Sequence, residues 1–194
     1  MIREAAIDFI LRPDIEGGYA NNPDDPGGET NFGISKRAHP SLDIRNLTKA
    51  QAAKIYADEY WAPTAGRVAD FAPRLAFIML DCAVNQGKGF ASMALQEIVH
   101  ASQDGIIGPA TLAALHDTLD ARGEAWVVAE YVSRRCTRYA ANKNVSKFGH
   151  HWFYRVPACL LASEQSVSAA RSTVLPELLD QILGLVKQAR SEVA

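Results

Sequence analysis

A chain of 194 residues with 48% apolar residues and a formal net charge of -2 can bury a sizeable core, and it lacks the basic excess that nucleic-acid binding calls for. Its three cysteines, Cys82, Cys136 and Cys159, are odd in number and far apart, which excludes a Cys-x-x-Cys site and favours buried free thiols over a disulfide framework. No apolar run is long enough to span a bilayer, and Glu4 and Asp8 interrupt the pattern of the first residues, so a soluble chain made in the cytoplasm without a signal peptide is expected.

In chain order, Ile2, Ala5, Ala6, Phe9 and Ile10 fall on one face of a first helix, which Pro13 stops or kinks. Pro13 to Glu16 can add a further helical turn, closed by Gly17-Gly18. From Tyr19 to Ser35 the composition is turn chemistry, densest over Asn21 to Gly28, with a short strand expected over Thr30 to Ile34. Thr48 and Gln51 form a capping-box pair that opens a second helix running to about Tyr60. A third helix opens near Pro73, carries Leu75, Ile78, Met79 and Cys82 inward, and ends near Asn85-Gln86-Gly87. Gly89 to His100 is helical again, with Phe90, Met93, Leu95, Ile98 and Val99 for burial. Asp104-Gly105 marks a turn, and Pro109 opens a short helix. Gly123 to about Asn142 is a long helix, with Trp126, Ala129 and Val132 read as inward. The last third is helical, with breaks expected at Pro157 and Pro176, and Leu175 to Val186 forms an apolar stripe that packs back on the domain. The fold class is mainly α, with a small β-hairpin or ordered loop after the first helix.

Chemistry is concentrated early. Glycoside hydrolysis needs a protonated acid beside the leaving oxygen and is helped by a second acidic group. Glu16, at the end of a helical turn, sits where the backbone dipole favours a protonated carboxyl. Asp25 lies on the loop that folds back toward it, and the Thr30 hydroxyl can hold a water. The spacing is Glu-x8-Asp-x4-Thr. These residue types are common, and the spacing alone is equally compatible with a solvated Glu16 and an ordinary turn-forming Asp25.

The strings around them are more specific. Glu16-Gly17-Gly18-Tyr19, followed by Asp25 to Ser35 (DPGGETNFGIS), resembles the signature of glycoside hydrolase family 108. The likeness continues through Asp43-Ile44, Leu47-Thr48, Ala52, Ile55-Tyr56, Tyr60-Trp61, Leu80-Asp81 and Val84 to Gly87. It implies a lysozyme-like fold, an N-acetylmuramidase of the kind found in phages, prophages and secretion systems, and a catalytic Glu16. The Glu, Asp and Thr set also resembles that of phage lysozymes, which have one more residue before the threonine; Asp24 competes with Asp25 as the second acid. Farther on, Leu95-Gln96, Asp104 to Pro109, Thr111-Leu112, Phe148 and Trp152 to Arg155 resemble the peptidoglycan-binding module that follows this family's catalytic part. Residues 1–88 are accordingly expected to form the catalytic part. Residues 89–194 are expected to form a helical part packed on it.

Tyr19, Tyr56, Tyr60 and Trp61 can stack on sugar rings or pack in the core. Asn31, Asn85 and Gln86 can bond the substrate's acetamido and hydroxyl groups; Asn85 and Gln86 can equally cap a helix. Asp81, on an otherwise apolar helix, is read as a buried acid with a partner. No histidine has zinc-site spacing and no phosphate loop or nucleophile elbow exists, so neither a metal nor a cofactor is expected. The expected partner is the glycan strand of peptidoglycan, reached in the periplasm or cell wall through a holin or a secretion system, with no nucleic acid and no stable membrane insertion. A lytic transglycosylase, a chitinase and a non-catalytic wall-binding protein are the alternatives.

Overall fold

The computed structural model describes residues 1–21 and 28–192, with side chains through residue 170. Asp24 and Asp25 therefore lie outside the described residues, as do the side chains of the Leu175 to Val186 stripe. The fold is mainly α with one small sheet.

Helix α1 (Ile2–Ile10) buries Ala6, Ile7, Phe9 and Ile10. The chain next makes a tight turn in which the Arg12 carbonyl accepts from the amides of Ile15, Glu16 and Gly17. Only glycine fits at the end of that turn, because a Cβ on Gly17 would lie 2.5 Å from the Pro13 Cα. Strands β1 (Tyr19–Ala20), β2 (Thr30–Asn31) and β3 (Ile34–Ser35) form an antiparallel sheet in that order, with Tyr19 opposite Asn31 and Asn31 opposite Ile34. Phe32 and Gly33 join β2 to β3 with φ of 51° and 74°, the pair of left-handed conformations that a two-residue hairpin of right-handed twist requires.

Helix α2 (Lys49–Ile55) opens with both halves of the Thr48–Gln51 capping box in place. The expected run to Tyr60 continues as a wider π-helical turn, Tyr56–Trp61, in which the Ala62 amide reaches back to the Ala57 carbonyl at 3.0 Å. Helix α3 (Pro73–Gln86) is the axis of the fold. Every residue from Leu75 to Ala83 is buried, and it packs on α1, α4 (Lys88–Ile98), α6 (Glu124–Ala140) and α7 (Val145–Glu192). Its first turn is capped from another element: the Glu124 carboxylate accepts from the amides of Arg74 and Leu75 at 2.8 and 3.1 Å. Helix α5 (Pro109–Arg122) lies against α6. One hydrophobic core runs from Ala6 in α1 to Cys159 in α7 and includes residues from both halves of the chain.

Three expectations change. The fully buried face of α6 is Val127, Val128, Tyr131, Arg135 and Tyr139; Trp126 and Val132 are half-buried against the core at its edge, and Ala129 is exposed. Arg135 can join that stripe because Asp81 supplies its counter-charge. Met93 is exposed, while Leu95, Ile98 and Val99 are buried. Helix α7 continues through Pro157 and Pro176. At Pro157 the reason is position: Pro157 and Phe153, whose carbonyl loses its partner, both lie on the exposed face, so no backbone group is orphaned in the core.

Candidate active site

Glu16 sits on the turn that follows α1, so a full helix dipole does not act on it; its surroundings are set by side chains from distant elements. Its side chain is 22% exposed. On one side Arg155 of α7 donates from Nη1 to Glu16 Oε1 at 2.6 Å. On the other lies the β2–β3 turn, so close that a Cβ on Gly33 would stand 2.8 Å from Glu16 Oε2 and 2.6 Å from the Tyr56 hydroxyl. Tyr56 is buried and donates to the Phe32 carbonyl at 2.7 Å, which fixes that turn. Burial, reinforced by the Glu16 charge, pushes the Tyr56 phenol up and keeps it a neutral donor.

Behind Glu16 lies a buried charge cluster. Arg155 Nε donates to Asp81 Oδ1 at 2.7 Å, and Arg135 Nη2 donates to Asp81 Oδ2 at 2.6 Å. Asp81 and Arg135 are fully buried. Two carboxylates and two guanidiniums balance, which is what makes such burial tolerable. Burial pulls Arg155 toward neutrality, but the charges of Asp81 and Glu16 outweigh it and hold the group charged. Gln86 braces the cluster: its Oε1 accepts from Arg135 Nε at 3.0 Å and its Nε2 donates to the Arg135 carbonyl at 3.1 Å.

In front of Glu16 a recess of about 190 Å³ is lined by Asp14, Ile15, Glu16, Asn85, His151, Trp152, Tyr154 and Arg155. A second, of about 140 Å³, shares Asn85 and Trp152 with it and adds Gln86, Arg138, Tyr139 and Asn142. Trp152 stacks on Tyr139 with centroids 5.2 Å apart, and Tyr139 donates to Asn85 Oδ1. Burial pushes the Tyr139 phenol up to about 12, so it remains a donor. The result is a polar groove with an aromatic wall beside a partly buried carboxyl, a shape suited to a sugar chain. A larger recess of about 330 Å³ between α1 and α2 holds Glu4 and Asp8, but both are well exposed and paired with Arg3 and Lys49.

The residues singled out from sequence separate. Glu16, Asn85 and Gln86 line the groove. Tyr60 is half-buried against Tyr56, within reach of the Glu16 charge, with the Lys88 ammonium 5.1 Å from its ring. Tyr19 is exposed, donates to Glu29 Oε1 at 2.7 Å and has the Arg45 guanidinium over its ring. Thr30 donates to the Gly28 carbonyl at 3.2 Å. Asn31, Tyr56 and Trp61 are buried. Asn31 spends its amide on the carbonyls of Ile44 and Leu47, and Trp61 packs on Gly66, so these three side chains belong to the scaffold.

Sequence reasoning missed Asp14, Arg135, Tyr139 and the contribution of Trp152 and Arg155. Asp14 opens on the Glu16 recess, and its hydrogen bond from Arg12 holds its carboxyl below the usual range. The available signal was Asp81 and Arg135, each alone on an apolar helical face and therefore in need of an opposite charge.

A helical fold built on one long buried helix, with a carboxyl poised between a small sheet and a groove, defines the lysozyme-like glycoside hydrolases. The sequence model of the glycosyl hydrolase 108 family matches residues 8–87. The solved structure of SagA from Brucella abortus is similar at 30% identity and a TM-score of 0.70, covering 84% of this chain and 94% of that one. The chain belongs to the glycosyl hydrolase 108 family. It is a glycoside hydrolase and, at the level of the family, a peptidoglycan hydrolase of the muramidase type. No curated protein sequence matches it.

Proposed function

We propose that the protein hydrolyses the β-1,4 bond between N-acetylmuramic acid and N-acetylglucosamine, with Glu16 as the general acid. The observation that carries this reading is a carboxyl that is mostly buried, firmly held and open to one groove. Glu16 gives its proton to the glycosidic oxygen as the C1–O bond breaks, so the departing sugar leaves as an alcohol. Water adds to the oxocarbenium-like carbon and surrenders a proton to a carboxylate, and the net change is one water consumed. Asp25 is the second acid in this reading, with Asp24 its competitor and Thr30 placing the water. Asn85 meets the substrate's polar groups beside Gln86, whose amide is engaged by Arg135, with Tyr19 and Tyr60 flanking the site. The biological setting that suits such a chain is a phage or prophage endolysin, or a secretion-associated muramidase. It would act on the wall after release through a holin or a secretion system.

The test is digestion of purified peptidoglycan by the wild type and Glu16→Gln, with mass spectrometry of the fragments. The expected outcome is reducing muramic acid ends from the wild type and a loss of at least 100-fold in Glu16→Gln, which remains folded. Terminal 1,6-anhydro sugars would identify a lytic transglycosylase instead. Binding without any soluble product would identify a wall-binding protein.

A further inference from the structure

Glu16 and Arg155 stand 139 residues apart, yet their contact is among the shortest in the site, at 2.6 Å. Arg155 is 5% exposed, so this is no surface pair of little consequence. The guanidinium forks. Its Nη1 meets Glu16 and its Nε meets Asp81, which Arg135 holds from the opposite side. Its remaining nitrogen, Nη2, is buried with no hydrogen-bond partner, so the group is fixed by its two carboxylates alone.

We propose that Arg155 is a positioning residue for the acid: anchored on Asp81, it orients the Glu16 carboxyl and stabilises the charge Glu16 gains as its proton leaves. The proposal rests on the reading of Glu16 as the proton donor. Its logic follows the charges. While Glu16 carries its proton, its half of the ion pair is neutral, and Arg155 keeps its place because Asp81 still holds Nε. As the proton passes to the glycosidic oxygen, negative charge grows on Glu16 beside a cation already in position, and no group has to reorganise. The β2–β3 turn bounds the same carboxyl on the side away from Arg155, where a Cβ on Gly33 would stand 2.8 Å from Oε2.

Groups face this pair from every element around it. Asp81 comes from α3, Arg135 and Tyr139 from α6, and Tyr56 and Tyr60 from the π-helical turn. Cys159 lies one turn farther along α7, and Asp14 and His151 share the recess. Replacing Arg155 by glutamine removes one positive charge next to Glu16 and leaves the others in place. A carboxyl with less positive charge beside it releases its proton less readily. The alkaline limb of activity, on which an acid catalyst is lost, then moves to higher pH.

The experiment measures kcat and KM against pH for the wild type, Arg155→Gln, Arg155→Lys and Glu16→Gln. The substrate is a defined tetrasaccharide of alternating N-acetylglucosamine and N-acetylmuramic acid, and folding is followed by circular dichroism at the assay temperature. For Arg155→Gln the expectation is a kcat lower by at least tenfold, little change in KM, and an alkaline limb raised by about one pH unit. A residue with only a structural role would lower the amplitude and leave the limb where it was, and that result overturns the proposal. If Arg155→Gln does not fold, Arg155→Lys decides. Lysine keeps the charge but cannot bridge two carboxylates, so a folded variant at least tenfold slower supports the proposal, and one within twofold of the wild type overturns it. Full activity in Glu16→Gln would instead sink the assignment of the acid, whatever Arg155 does.

Discussion

The Glu16 carboxyl is seated by a glycine as much as by an arginine. Gly33 has φ of 74°, a conformation that L-residues rarely adopt, and a methyl group there would press on both the Tyr56 hydroxyl and Glu16 Oε2. Gly33→Ala must either open the β2–β3 turn or displace the Glu16 carboxyl. The expected result is a loss of lytic rate of at least tenfold, larger than the fall in folded protein, with both measured on one preparation. Wild-type lysis by a folded Gly33→Ala would show that this turn does not hold the acid. Glu16 could be singled out in the sequence only through the long strings around it, Glu16 to Tyr19 and Asp25 to Ser35, because spacing alone left it compatible with a solvated residue. Arg155 was not, since nothing local ties it to a residue 139 positions away. Asn31, Tyr56 and Trp61 show the converse limit. Their residue types suit sugars, but only packing reveals that the Asn31 amide is spent on backbone carbonyls and that the two rings are inside.

Among the elements, capping and turn signals were the most readable, because they act within a few residues. The Thr48–Gln51 box, the proline at the start of α3 and the glycine between α3 and α4 all stand where their local chemistry puts them. Faces were harder where a charge is buried, as on α6, and Pro157 misled because a break depends on which way the freed carbonyl points. The Asp104 to Thr111 motif also resolves at this scale. Gln96, buried in α4, donates to Asp104 Oδ1, the Ile106 carbonyl and Thr111 Oγ1, and accepts from the Gly105 amide. One amide thus ties the loop before α5 to α4. Gln96→Ala leaves several of these groups unsatisfied and is expected to lower stability by about 1–3 kcal/mol in chemical denaturation. The rate of lysis per folded molecule should be unchanged, since the motif stands apart from the groove residues. A large specific loss of activity with normal stability would assign the motif to substrate contact.

For the molecule as a whole, the two halves read from sequence meet in one core and in one charge cluster. Asp81 belongs to residues 1–88, while both of its partners, Arg135 and Arg155, come later. A fragment of residues 1–88 would carry a buried acid without a counter-charge and an α3 stripped of α4, α6 and α7, a loss well beyond the few kcal/mol that separate folded from unfolded domains. Such a fragment is expected to show no cooperative thermal transition and no lysis. A sharp melt in the fragment would mean that the first half is an independent domain.

The reach of the Arg155 contact also orders events in time. Helices such as α1 and α3 can begin to form as they leave the ribosome, but the closing of so long a loop between Glu16 and α7 waits until α7 itself has been made. A nascent or clipped copy lacking α7 would therefore carry Glu16 without its Arg155 contact, so the recess beside Glu16 takes its final form only once α7 has docked.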